Sequence, residues 1–105
     1  MIGRLHRRDE FERLRRQGSR VRSGVVWCMM LPDPELDGPR MAFAIGRSSG
    51  DAVDRNRARR RIREAFRRID LPSGLYLVGL TVPATSVTFA HAVAAADGIA
   101  KKVSL

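Results

Sequence analysis

The segment Arg55–Arg68, RNRARRRIREAFRR, constrains this chain most, because its eight arginines must share one element with the residues that anchor it. At about 100° per residue, Ala58, Ile62, Ala65, Phe66 and Ile69 fall on one stripe. That stripe predicts an amphipathic helix, running to about Ile69, packed on a sheet. Arg57, Arg60, Arg61, Arg67 and Arg68 fall on the opposite side, with Asn56, Arg59 and Arg63 along one flank. Only Glu64 interrupts them. Like charges one turn apart repel, and a merely solvated face usually mixes signs. Repulsion tolerated on this scale points to a polyanionic partner. Arg55 continues the apolar stripe at the helix start. Two placements are open for it: across the sheet edge toward the first helix, or in an ion pair with Asp51 or Asp54.

The rest of the composition agrees. The formal charge is +9 and the sequence pI is near 11.5, a field that favours RNA, DNA or an anionic membrane. All the cations are arginine except Lys101 and Lys102. Guanidinium forks match phosphate oxygens and stack on bases, which suits nucleic acid better than lipid. A hydrophobic content of 44% across 105 residues fits one folded domain, residues 1–105, and not a disordered basic tail. The longest apolar run, Val25–Leu31, is too short to cross a bilayer, and the basic N-terminus lacks the apolar core of a signal peptide. A single cysteine, Cys28, excludes an internal disulfide and fits a reducing cytoplasm, which is the expected location.

Along the chain, Asp9 and Glu12 form a capping-box pattern for a helix over residues 9–17 carrying Phe11 and Leu14, with Gly18 as its stop. A strand from Val21 to Leu31 follows. Val25, Trp27, Met29 and Leu31 lie on one of its faces, and Val26, Cys28 and Met30 on the other. Residues 32–39, PDPELDGP, read as a solvated acidic loop. In the strand over residues 40–47, Met41, Phe43 and Ile45 alternate with Ala42, Ala44 and Gly46. Asp51 or a preceding serine caps the arginine helix. Residues 75–82 form a further strand. Thr85 or Ser86 caps a last helix over residues 87–103, which Gly98 weakens near its end.

Leu5, Phe11 and Gly18, followed by Ala52-Val53-Asp54-Arg55-Asn56-Arg57-Ala58-Arg59-Arg60-Arg61-Ile62-Arg63-Glu64, resemble the pattern of the bacterial ribonuclease P protein family. In that family a short N-terminal helix and strands precede an A-V-x-R-N-x-x-K-R-x-x-R-E helix. The likeness extends over nearly the whole chain. It implies an α+β fold, a two-layer αβββαβα sandwich resembling the second domain of ribosomal protein S5, with a left-handed βαβ crossover. It further implies a surface for the catalytic RNA subunit, comprising Arg55, Asn56, Arg57, Arg59, Arg60, Arg63 and Arg67. A cleft for the single-stranded 5′ leader of precursor tRNA would comprise Phe11, Arg15, Trp27, Met29 and Arg47. Phe11 has two readings, a stacking platform for a base or a core residue of its helix.

Several positions depart from the family pattern. Arg15 and Met29 stand where aromatics are common, Ser48 where a lysine is, Leu75 where an aspartate is, and Thr81 where an arginine is. A less aromatic and less basic cleft is therefore expected.

The function so implied is that of a non-catalytic subunit of an endoribonuclease, a hydrolase that removes the leader in tRNA 5′ maturation. Cleavage would occur at Mg²⁺ held by the RNA, with no catalytic residue, metal or other cofactor on the protein, which is expected to be monomeric and to have no membrane partner. His6 and His91 are the only histidines, and no paired-His arrangement for acid–base RNA cleavage is visible. The rival reading is a ribosomal or ribosome-assembly RNA-binding protein with no role in cleavage. A stand-alone nuclease would need a metal-ligand cluster, and a DNA-binding helix would need a helix-turn-helix partner.

Overall fold

The apolar stretch around Val25 holds a reversal of the chain and not one long strand. In the computed structural model, which describes residues 2–103, Gly24 adopts φ +54° and turns β2 (Ser19–Ser23) into the antiparallel strand β3 (Val26–Pro32). Only glycine takes this left-handed conformation at little cost. The single strand expected over residues 21–31 is thus a hairpin, whose polar turn side, Arg22-Ser23-Gly24, leads directly into the apolar run from Val25.

The full order is β1 (Gly3–Arg4), α1 (Arg8–Gln17), β2, β3, β4 (Pro39–Ala44), α2 (Ala52–Phe66), β5 (Gly74–Leu80) and α3 (Phe89–Val103). Short 3₁₀ turns at Arg47–Ser49 and Ala84–Ser86 precede α2 and α3. This is the expected αβββαβα order with one short additional edge strand, β1. The strands form one sheet in the order β1-β4-β5-β3-β2. β4 runs parallel to both β1 and β5, while β3 is antiparallel to β5 and β2. The unit β4-α2-β5 therefore joins adjacent parallel strands through the arginine helix.

Strand alternation assigns the two faces. Val26, Cys28, Tyr76, Val78, Met41 and Ile45 point to the main core, where they meet Ala58, Ile62, Ala65 and Phe66 of α2 and Ala92, Ala95, Ala96 and Ile99 of α3. The stripe is buried from Ala58 to Phe66 as expected, but α2 ends at Phe66 and not near Ile69, which lies past the helix and is only half-buried. On the opposite face Leu5 and Leu14 pack on Leu75, with Phe11, Met29, Leu31, Ala42 and Leu77 around them. Helix α1 thus covers one end of that face and leaves the other end open.

Helix ends depart from the sequence reading. Asp51 does cap α2, its Oδ1 accepting the Asp54 amide at 2.9 Å. Helix α1 starts at Arg8, after Arg7, and no capping box forms. Asp9 and Glu12 instead pair with Arg7 at 3.3 Å and Arg8 at 3.9 Å. The cap of α3 is Thr88, not Thr85 or Ser86, its Oγ1 accepting the His91 amide at 3.0 Å. Gly98 lies inside α3, and a β-carbon there would come within 1.9 Å of Ser23 Oγ. It permits close approach of α3 to β2, a packing role that outweighs its low helix propensity.

Candidate nucleic-acid interface

The four-residue spacing of Arg55, Arg59, Arg63 and Arg67 places them along one side of α2, above the β4 edge of the sheet. Arg59 donates to Asn56 Oδ1 at 2.8 Å and reaches the Ile45 carbonyl at 3.5 Å. The Arg63 guanidinium sits over the Phe43 ring, 5.4 Å from its centroid. Arg59, Arg63 and Arg67 line a groove of about 1080 Å³ whose other wall is β1 and β4 and whose floor includes Met41, Phe43, Ile69 and Leu71. Arg55 resolves its open placement locally. Its Nε donates to the Asp51 carbonyl at 3.4 Å, and it forms an ion pair with neither Asp51 nor Asp54.

Not all arginines of the Arg55–Arg68 segment reach solvent freely. Arg61 donates to the Val87 carbonyl at 2.6 Å, and Arg68 covers Phe89 at 5.0 Å. Both contact the α3 side, but only Arg61 is half-buried; Arg68 stays exposed, so the expected solvent-facing row loses one member to packing. Arg57 and Arg60 are exposed, as is Asn56, and the exposed Arg67 pairs with Glu64 at 3.5 Å.

The other predicted site lies across the sheet. The register aligns Trp27 with Gly79 and Met29 with Leu77. Arg22 stands opposite Trp27 and Arg20 opposite Met29. Ala42 and Ala44 continue this face on β4, opposite Leu77 and Gly79. Small residues on two adjacent strands leave room on this face for the Trp27 ring. A β-carbon at residue 79 would lie 2.2 Å from that ring, so glycine is what lets the indole lie over β5. The Arg20 guanidinium stacks on the indole at 4.4 Å from its centroid.

Phe11 is half-buried, packed in the α1 cluster beside Met29. Arg15 is exposed one turn later. Trp27 and Met29 share a face as expected. Arg47 is exposed in the turn that follows β4, beyond the Ala44–Gly79 end of the sheet. Arg20, Arg22 and Gly79 did not emerge from the sequence. The alternation in Ser19–Ser23, SRVRS, was the signal for the two arginines, hidden by merging β2 with β3.

Two ion pairs fix α1 against the sheet. Arg40 Nη1 meets the buried Glu10 at 2.5 Å, and Arg13 meets Asp33 at 3.3 Å. The acidic loop is therefore not simply solvated, because Asp33 anchors α1 and also caps its own turn through the Glu35 amide at 3.1 Å. Among the described residues no group of three or more histidine, cysteine or acidic side chains could hold a metal ion, and no helix is long and apolar enough to cross a membrane. Cys28 is buried in the core, and desolvation pushes its thiol up to about 12. A thiol so rarely ionised packs; it does not react.

A sheet with a basic helix on one face and a half-open aromatic face on the other defines a small α+β domain with two separate cationic surfaces. Residues 3–103 match the Ribonuclease P family, and the chain belongs to the ribonuclease P protein family. The ribonuclease P protein component of Acidothermus cellulolyticus is 36% identical over 98 residues, covering 90% of this chain and 82% of that protein. That of Chloroflexus aggregans is 46% identical over 70 residues, 67% of this chain, and the match spans only 50% of that longer relative. The fold is that of the RNase P protein from Thermotoga maritima, with a TM-score of 0.81 at 20% identity over 95% of this chain and 96% of that one. The Staphylococcus aureus RNase P protein gives 0.79 at 22% identity, covering 96% and 94%.

Proposed function

We propose that this chain is the protein subunit of a ribonuclease P holoenzyme that removes the 5′ leader from precursor tRNA. The arginine side of α2 binds the catalytic RNA, and the open sheet face beside α1 holds the leader. Phosphodiester hydrolysis takes place at Mg²⁺ held by that RNA, and the protein, a cytoplasmic monomer, supplies no catalytic group. The observation that carries this reading is the separation of the two cationic surfaces by the sheet. One subunit can then touch enzyme RNA and substrate at once and offset the repulsion between their phosphates. Base stacking on Phe11 and Trp27 tolerates sequence, as a variable leader demands.

The test adds the purified protein to its organism's catalytic RNA and precursor tRNA at low Mg²⁺. Stimulated cleavage, with none by protein alone, is the expected result. A ribosomal or assembly protein would bind RNA without stimulating cleavage, and metal-dependent cleavage by RNA-free protein would overturn the subunit reading.

A further inference from the structure

We infer that the groove between α2 and the β1–β4 edge takes an unstacked nucleotide of an RNA strand, its base against the Arg63 guanidinium and its phosphates on the flanking arginines. This rests on the RNA-binding function proposed above and extends it from charge neutralisation to base recognition.

A helix that only neutralised phosphates would need no cavity beside it. Here the arginines open onto a groove of about 1080 Å³ whose lining combines the apolar Met41, Phe43, Ile69 and Leu71 with the charged Arg4 and Asp70. That volume is at the upper end of small-ligand sites, which run to about 1,000 Å³. Arg63 makes no ion pair among the described residues, and its guanidinium carbon lies over the Phe43 ring, 5.4 Å from the centroid. An unpaired guanidinium beside an aromatic ring has the chemistry to stack with a base. Arg59 is preorganised by Asn56 and the Ile45 carbonyl.

The strand edge completes the site. Pairing of the N-terminal segment with β4 stops at the bond from the Leu5 amide to the Met41 carbonyl, 3.0 Å. The Ile45 carbonyl, two rungs further along the same edge, accepts Arg59. Between them the Phe43 amide and carbonyl lie on an edge that no strand covers, a donor and an acceptor suited to a base edge. Asp70, also in the groove lining, adds an acceptor. A base amino group or a ribose hydroxyl can donate to that carboxylate, while the arginines of the same lining, Arg4, Arg59, Arg63 and Arg67, keep the groove cationic for the phosphates.

The test titrates ¹⁵N-labelled full-length protein with a short oligoadenylate and with an abasic ribose–phosphate oligomer of equal length, following the Phe43 and Leu71 amides. Expected are shifts at both amides and about 5- to 150-fold tighter binding at this site for the oligomer with bases. Arg63→Lys, which keeps the charge and removes the plane, should abolish most of that ratio, with oligoadenylate losing much more affinity than the abasic oligomer. Phe43→Leu should act in the same direction if its packing holds, as judged by its melting curve. Equal affinities for the two oligomers would overturn base recognition and leave only phosphate binding on α2. Shifts confined to the Trp27 side of the sheet would overturn the groove as a site. Failure to bind the catalytic RNA at all would instead overturn the proposed function, a result that this pair of oligomers does not mimic.

Discussion

Trp27 lies over Gly79, so close that a methyl group at residue 79 would sit 2.2 Å from the indole. The ring is held between the β5 backbone and the Arg20 guanidinium, 4.4 Å from its centroid, on the sheet face that α1 leaves open. An aromatic seated in this way offers a fixed surface, and its position depends on a residue that has no side chain of its own.

Gly79→Ala should therefore dislodge the indole. The expected stability cost is about 1–3 kcal/mol, the usual range for overpacking. Trp27 is the only tryptophan, so its fluorescence reports the displacement directly. Precursor tRNA affinity should fall while mature tRNA affinity holds. An unchanged emission spectrum together with native leader binding would remove Trp27 from the leader site.

Phe11 belongs partly to the α1 cluster and partly to the open face. Phe11→Ala should weaken binding of precursor tRNA by the assembled enzyme by about 1–3 kcal/mol through lost stacking. Leu14→Ala provides the core comparison, since Leu14 is buried and its truncation should cost about 2–5 kcal/mol of stability. Mature tRNA lacks the leader, so its binding separates the two effects. Equal losses for precursor and mature tRNA with a lowered Tm would make Phe11 a core residue only.

The arginines of α2 should divide by neighbour. Replacing Arg60 and Arg63 with alanine should flatten the salt dependence of RNA binding by about 0.7–0.9 in log–log slope for each phosphate that is no longer neutralised, with the fold intact. Arg61→Ala should behave oppositely. It removes the 2.6 Å bond to the Val87 carbonyl and should cost about 1–3 kcal/mol of stability while leaving the slope nearly unchanged. Salt titrations and melting curves of the two variants decide the assignment.

Alkaline pH should unfold this protein through its core. Burial raises Cys28 from an ordinary 9.0 to about 12. Tyr76 rises from 10.0 to about 12, chiefly by burial and secondarily through the charge of Cys28. Above the ordinary values the unfolded chain releases protons that the folded chain retains. The stability contributed is thus fully present below about pH 9 and is lost as the pH rises toward 12. Denaturant midpoints measured from pH 8 upward should fall across this window, and Cys28→Ala should make the decline shallower. An equal slope in that variant would assign the alkaline loss to other groups.

The resemblance to the family was legible because its residues are contiguous: the segment from Ala52 to Glu64 is read by eye, and its stripe of Ala58, Ile62, Ala65 and Phe66 is buried as the helical period requires. The Gly24 reversal was not legible, since Val21 before it and the apolar run from Val25 after it read as one strand across Arg22-Ser23-Gly24. The Arg20 and Arg22 pair was lost with it, although both stand on the face that carries Trp27 and Met29.

The sequence by itself determined the arginine helix, the apolar stripe beneath it, the charge that calls for a polyanion and the order of the main elements. All of these are properties of neighbours along the chain, set by helical and strand periodicity. Only the tertiary structure decided which arginines are free and which are consumed, because the Val87 carbonyl beside Arg61 and the Phe43 ring beneath Arg63 arrive from other elements. It likewise decided that Gly79 seats Trp27 and that Gly98 admits Ser23, since strand register and helix approach bring together residues far apart in sequence. A period can say which face a side chain occupies. What waits on that face depends on the partner segment, and that is fixed only when the sheet is assembled.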